Sequence, residues 1–377
     1  MSRIQELLTK FESAAKNPRA QLDGYLGKGK KAIGCLPYYV PEELVHAAGM
    51  VPMGLWGSKG TINAAKEYFA PFYCTIVQMG LEMALTGKIK GLSAAIVPSI
   101  CDALRPFSQN FRVTEDKTGI PMIFIAHPQN RKPEYGIKYI MVQFGNVKKE
   151  LEKIAGTPIS DDSLRASIKV YNSSRAARRE FVKLAGKHPE AVTPAMRSAV
   201  LKSAFFMLKE EHTALLNQLN SELSALPASN WKGSKILTSG ILADNPSLLS
   251  ILEEQKFAIT ADDVAHESRA IRVDADETGD PMLALAKQFS GQDDDPLLYD
   301  PNIDQRPGHV VRLAKESGAQ GVVMLQMQFC DPEELEYPSL KKALNDAGIP
   351  SILIGYDQTM KDFAQARTQL QAFSDLL

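Results

Sequence analysis

The sequence predicts an α/β protein with two parallel sheets separated by a helical stretch. Three observations carry that expectation. Short apolar runs alternate with helix-periodic segments in the first third, the same alternation returns after Trp231, and the residues between show helical periodicity only. A chain of 377 residues suffices for two domains of ordinary size, and 44% apolar with 23% charged residues is a soluble globular composition.

The opening segment MSRIQELLTKFESAAKN places Ile4, Leu7, Leu8 and Phe11 at helical spacing, which reads as a surface helix and not a signal peptide. Strands are expected at KKAIG (30–34), MVPMGLW (50–56), SAAIVPSI (93–100) and PMIFIA (121–126). Between them PEELVHAAG reads as a helix, with Pro41 early and Gly49 at its end, and a second helix runs from about Cys74 through Leu85 to a stop at Gly87. Short apolar strands with helical crossovers make a parallel sheet covered on both faces. This gives an N-terminal α/β domain over 1–144, a helical connector over 145–230 and a C-terminal α/β domain over 231–377. In the last, KILTSGI (235–241), FAITA (257–261), GVVMLQMQF (321–329) and PSILIGY (350–356) are the strands, with helices around Ser247–Glu254, Gly308–Ser317 and Leu340–Gly348. The polar, Pro/Gly-rich residues 277–309 form an excursion from the sheet.

Function is first narrowed by exclusion. A net charge of −1 argues against nucleic acid and anionic membrane surfaces as partners. No apolar run is long enough to span a bilayer, and the expected location is cytoplasmic. GYLGKGKKAIG is not a phosphate loop, and no GxGxxG fingerprint exists, so any ATP or NAD belongs to another protein.

The four cysteines remain. In a reducing compartment they are poor disulfide candidates, and the bland reading of each is a small buried hydrophobe. Their placement is less bland. Cys101 follows SAAIVPSI and Cys330 follows GVVMLQMQF, and the carboxyl ends of parallel strands face the ligand crevice. After Cys330, Asp331 is a good N-cap, Pro332 fits the first helical position and Glu334 could close a capping box. A cysteine there faces helix amides, which favour the thiolate that binds metal. Cys74 sits at a third helix start. Cys35 also ends a strand, before Pro37, and geometry alone does not separate it from the others. The lack of a CxxC pair argues against a zinc finger or ribbon, whereas three thiolates meeting without a fourth would suit a cubane cluster with one open iron. Among other residues, His46 reads as a packed helical residue and His127 is better placed for a site. Asp262 and Asp263 point toward the same crevice, though a helix cap explains them equally well.

The strings KKAIGCLPYYVPEELVHAAGMVPMGLWG, FYCTIVQ, CDALRPFSQNF, AHPQNR, YNSSRAARREF, GILADN, ADDVAHESR and MQFCDPEELEYP, in order to the closing DFAQARTQLQAF, resemble β subunits of the 2-hydroxyacyl-CoA dehydratase family, the (R)-2-hydroxyglutaryl-CoA enzymes above all. The resemblance covers nearly the whole chain. It implies two flavodoxin-like, doubly wound domains holding one [4Fe–4S] cluster, with ligands at Cys74, Cys101 and Cys330 and none at Cys35. It implies a homologous α subunit that binds the acyl-CoA, and an ATP-dependent iron–sulfur activator that injects an electron. Some members also carry a flavin, FMN or riboflavin, for which no motif appears here.

The implied chemistry is a ketyl-radical dehydration. The C3 proton of a 2-hydroxyacyl thioester is beyond any side-chain base at neutral pH. One electron on the thioester carbonyl gives a ketyl radical anion that expels the 2-hydroxyl, and the resulting enoxy radical has a far more acidic C3 proton. After deprotonation the electron returns, and the cluster held by the β subunit relays or stores it. Two other readings compete: a non-catalytic CoA-ester-binding or regulatory partner, against which the three cysteines count, and a benzoyl-CoA reductase-type subunit, which YYVPEELVHAAGMVPMG fits less well.

Overall fold

A computed structural model describes residues 2–36, 38–298, 300 and 305–377. Pro37 and the positions 299 and 301–304 of the predicted excursion lie outside the described residues. The first part of the chain runs α1 (Arg3–Lys16), α2 (Pro18–Gly27), β1 (Ala32–Cys35), α3 (Glu42–Ala47), β2 (Val51–Gly54), α4 (Thr75–Leu85), β3 (Ala94–Pro98), α5 (Leu104–Val113), α6 (Glu115–Thr118) and β4 (Met122–Ile125). Four helices follow without a strand: α7 (Glu134–Ala155), α8 (Asp161–Lys187), α9 (Pro194–Ser203) and α10 (Lys209–Ser224). The last part runs β5 (Lys235–Gly240), α11 (Pro246–Glu254), β6 (Ala258–Val264), α12 (Pro281–Ser290), α13 (Arg306–Ser317), β7 (Gly321–Met327), α14 (Asp331–Asp346), β8 (Ser351–Tyr356) and α15 (Ala364–Leu376).

The described strands form two four-stranded sheets, ordered β2-β1-β3-β4 and β6-β5-β7-β8, and every pairing is parallel. All eight expected strands are present. The runs AIGC of β1, VPMG of β2 and AAIVP of β3 are buried throughout, as strands covered on both faces must be. In each sheet the chain goes outward to one edge and then crosses to the other side. The reversal falls between β1 and β3 and between β5 and β7, where the loops at the carboxyl ends diverge and leave a crevice.

Local capping sets several helix starts. Ser2, Ser160 and Thr193 each accept an amide N–H three residues on, and Asp280 accepts those of Met282 and Leu283. The expected excursion therefore contains helix α12, which packs on α7. Helix α1 does not lie loosely on the surface, because Leu7, Leu8 and Phe11 are fully buried against α8, α9 and α10. Helix α7 runs unbroken through positions 144 and 145. No helix among the described residues is long and apolar enough to cross a membrane.

Asp262 and Asp263 neither cap a helix nor face the crevice. Both lie in β6 and are fully buried in ion pairs. Asp262 pairs with Arg197, which also pairs with Glu267, and its other oxygen accepts the N–H groups of Val264 and Ser268. Asp263 binds Arg269, Arg272 and Arg306. Burial alone would raise its pKa. The guanidinium groups of Arg269, Arg306 and Arg272 outweigh that and hold the carboxyl well below the usual carboxylate range. Its stabilisation is therefore complete above the unfolded value, about 3.9, and declines as pH falls below it. Asp263→Asn leaves buried cations short of a counter-charge and is expected to cost about 3–5 kcal/mol by urea denaturation at pH 7. It should also flatten the loss of stability below about pH 4, the range in which the wild-type carboxylate is titrated.

Candidate functional site

Three of the four cysteines sit at the starts of helical segments that follow strand ends or loops. Cys74 is the N-cap of α4, with extended backbone, and the amides of Ile76 and Val77 face its sulfur. Cys101 follows β3, three residues before α5, with the amides of Ala103 and Leu104 turned toward it. Cys330 is itself the N-cap of α14, one residue earlier than Asp331, the N-cap expected from the sequence. Asp331 and Pro332 then open the helix, and Glu334 closes its bond onto the Phe329 amide at 3.0 Å. Phe329 adopts φ 63, and that left-handed turn swings the chain from β7 into α14.

Contacts between the two sheets fix where these starts lie. The Thr75 hydroxyl, next to Cys74, touches the Met327 sulfur at 3.3 Å and accepts the Gln358 N–H at 3.1 Å. The Gln358 side chain donates to the Trp56 carbonyl at 2.8 Å. One side chain after β8 and one at the start of α4 thus tie the ends of β7 and β8 to the first sheet. On the other side, the Glu333 carboxylate in the first turn of α14 accepts from Arg269 at 2.7 Å, which sets α14 against β6.

The three thiols are linked through their charges. Cys74 bears on Cys101, and both bear on Cys330. Cys35 stands apart at the end of β1, paired with Gly54, and the groups acting on it are Glu42, Lys209 and Glu43, not the other sulfurs. The expected helix-start stabilisation of a thiolate is present but outweighed. Burial pushes all three thiols up, Cys101 to about 12, while the facing amides pull the other way. As free thiols they are protonated, and only a strong counter-charge such as bound metal makes them thiolates. Among the described residues no three His, Cys, Asp or Glu side chains converge as ligands of a single ion. Thiols arranged around a cluster need not converge in that way, because each binds a different iron. The donor set, three sulfurs each met by helix amides in a buried crevice, fits such a group. Exposed Phe72, Phe329 and Leu335 lie close to Cys74 and Cys330 in the chain.

His46 is a packed residue, bonded to Ser167 at 3.0 Å and Glu210 at 2.8 Å. His127 is buried, stacked on Phe289 with centroids 4.2 Å apart, and neither ring nitrogen has a hydrogen-bond partner. Burial holds it neutral, its pKa pushed down to about 3, with only the Tyr39 backbone opposing. It is not among the groups that act on the three thiols. Thr75 and Gln358 carried no signal in the sequence, since their importance lies in a contact 283 positions long.

Fold and site together define an α/β protein of two parallel sheets, with Cys101 and Cys330 between strand ends and helix starts. The family model for 2-hydroxyglutaryl-CoA dehydratase, D-component, matches residues 37–377. The chain is 51% identical to (R)-2-hydroxyglutaryl-CoA dehydratase subunit beta of Acidaminococcus fermentans, covering 99% of this chain and 100% of that one. It is 42% identical to the (R)-phenyllactyl-CoA dehydratase beta subunit of Clostridium sporogenes over the full length of both. Identity to a benzoyl-CoA reductase subunit from Thauera aromatica is 26%, over 92% of this chain and 90% of that one. The chain belongs to the 2-hydroxyglutaryl-CoA dehydratase D-component family.

Because His127 is an apolar-packed, unbonded ring, His127→Phe should leave stability within about 1 kcal/mol of wild type or raise it. A loss of more than about 2 kcal/mol in urea denaturation would show a polar role for the ring.

Proposed function

We propose that the chain is the β subunit of an oxygen-sensitive (R)-2-hydroxyacyl-CoA dehydratase, a hydro-lyase converting (R)-2-hydroxyglutaryl-CoA to (E)-glutaconyl-CoA and water. The observation that carries this reading is full-length identity of 51% to (R)-2-hydroxyglutaryl-CoA dehydratase subunit beta, and the charge effects among Cys74, Cys101 and Cys330 support it. These residues would hold a [4Fe–4S] cluster, with Cys35 outside it. When bound, the cluster supplies one-electron exchange, relayed to or stored for the acyl-CoA site of the partner. The chain's own contribution is to bury the three sulfurs, to aim helix amides at them, and to keep water away with the Thr75–Met327–Gln358 contact. Amides directed at the sulfurs lower the cost of the negative charge such a group carries.

Phe72, Phe329 and Leu335, close to Cys74 and Cys330 in the chain, carry exposed apolar surfaces that support coverage by a homologous α subunit. That subunit would bind the acyl-CoA, and an ATP-dependent iron–sulfur activator would dock transiently. The strand orders support two flavodoxin-like halves, with the helices after β4 as connector and boundaries near 144 and 230. A cytoplasmic, anaerobic setting suits buried thiols and an oxygen-labile cluster. Identity of 51% to the hydroxyglutaryl enzyme against 42% to the phenyllactyl enzyme favours a dicarboxylic substrate acid. A flavin, FMN or riboflavin, has no site argued from these residues.

Serine at Cys74, Cys101 or Cys330 should sharply reduce iron and acid-labile sulfide in anaerobically purified protein, while Cys35→Ser retains both. Full iron in any of the three variants would remove that residue from the ligand set. In the reconstituted complex, Cys330→Ala should abolish activator-dependent turnover yet leave acyl-CoA affinity, read by calorimetry, within about threefold of wild type. Turnover by the isolated chain, or normal turnover by the variant complex, would refute the relay.

A further inference from the structure

A cavity with an empty volume of about 730 Å³ including its mouth lies where the starts of α3 and α10 meet α7, α8 and α12, and none of Cys74, Cys101 and Cys330 lines it. Apolar walls come from Phe144, Phe205 and Phe289, with Tyr38 and Tyr39 alongside. Its charged lining is uneven. Lys209 is satisfied by Glu42 at 2.9 Å and by the Ala204 carbonyl at 2.7 Å, and Arg175 by Glu43 at 2.9 Å. Arg178 has no such partner. It is 5% exposed, lines the cavity, and among the described residues its one hydrogen bond runs from Nε to the Ser174 carbonyl at 3.3 Å. Three cations against two carboxylates leave one positive charge over. Asp274, which also reaches Arg175, is shared with Arg179 at 2.7 Å outside the cavity.

A buried guanidinium without a counter-charge costs several kcal/mol unless something supplies one. Burial and the neighbouring Arg175 already press its pKa down to about 10, with Glu42 opposing. One surplus charge beside Glu42 and Glu43 balances a monoanion and repels a dianion. Aromatic walls select a flat apolar body.

We infer that this cavity is a binding site for a small organic monocarboxylate, held through Arg178 with its apolar body against Phe144, Phe205 and Phe289. A planar carboxylate matches the fork of a guanidinium in two parallel hydrogen bonds, which phosphate monoesters, as dianions, would make only against the two flanking glutamates. Cys74, Cys101 and Cys330 are not among its lining residues, so its occupancy is read without reference to turnover.

The test uses the full chain purified anaerobically with its partner subunit, and benzoate as probe, comparing wild type with Arg178→Met so that binding elsewhere in the complex cancels. Calorimetry should show benzoate binding that weakens at least tenfold in the variant, with benzamide and phenyl phosphate at least tenfold weaker than benzoate on wild type. Thermal unfolding of the ligand-free variant should be unchanged or raised, because removing an unpaired buried charge relieves a cost. Equal affinity in Arg178→Met, benzamide binding as tightly as benzoate, tighter phenyl phosphate, or no benzoate binding by about 10 mM each overturns the inference. A lowered Tm in the ligand-free variant also overturns it, since Arg178 would then be a structural residue.

Discussion

The buried carboxylate–guanidinium network centred on Asp263 is the constraint on which the second half of the molecule depends. It joins β6 to the turn after it through Arg269 and Arg272, to α13 through Arg306, and to α14 through Glu333 and Glu336. Arg269 reaches further, to Asp295, which the Tyr38 and Tyr39 hydroxyls of the first half also bind. Buried ion pairs add little net stability over apolar packing, but a network with several fixed partners admits few alternative geometries. Here the geometry it fixes is that of the α14 start, and with it Cys330. A second pair of buried carboxylates, Asp262 and Glu267, holds Arg197 of α9 and so docks the helical layer on the same strand.

The thiol crevice follows from sheet topology plus one interface. A parallel sheet delivers every strand to the same edge, so residues after β3 and β7 reach the crevice directly. Cys74 has no strand immediately before it and arrives through α4, whose first turn is pinned by Met327 and Gln358. The two halves share one continuous apolar core, from Leu22 through Val97 to Ile354, so their relative placement is set by packing as well as by these bonds. Desolvation favours the protonated form of the sulfurs, and the facing amides pull the other way.

What the sequence determined by itself was everything local. The eight strands, the stretch of helices after β4 and the placement of Cys101 and Cys330 at strand ends follow from apolar periodicity, caps and length, which are properties of a few adjacent residues. The N-cap of α14 lies one residue before the expected one, because Asp331 is the better cap by type while the left-handed turn at Phe329 puts Cys330 at the boundary. The helix within 277–309 is hidden in the sequence, since its Gly and Pro density masks a start that Asp280 and Pro281 in fact make. Only tertiary structure decided the surroundings of each cysteine. Cys35, Cys101 and Cys330 look alike in one dimension, each closing an apolar run. The fold separates their settings, because Cys35 ends inside the sheet beside Gly54 while the other two continue into helix starts. The same holds for Asp262 and Asp263, whose arginines come from positions up to 65 residues away, and for Arg178, whose lack of a partner is visible only once every neighbour has been placed. Periodicity records what each residue faces, and long-range packing alone records what it finds there.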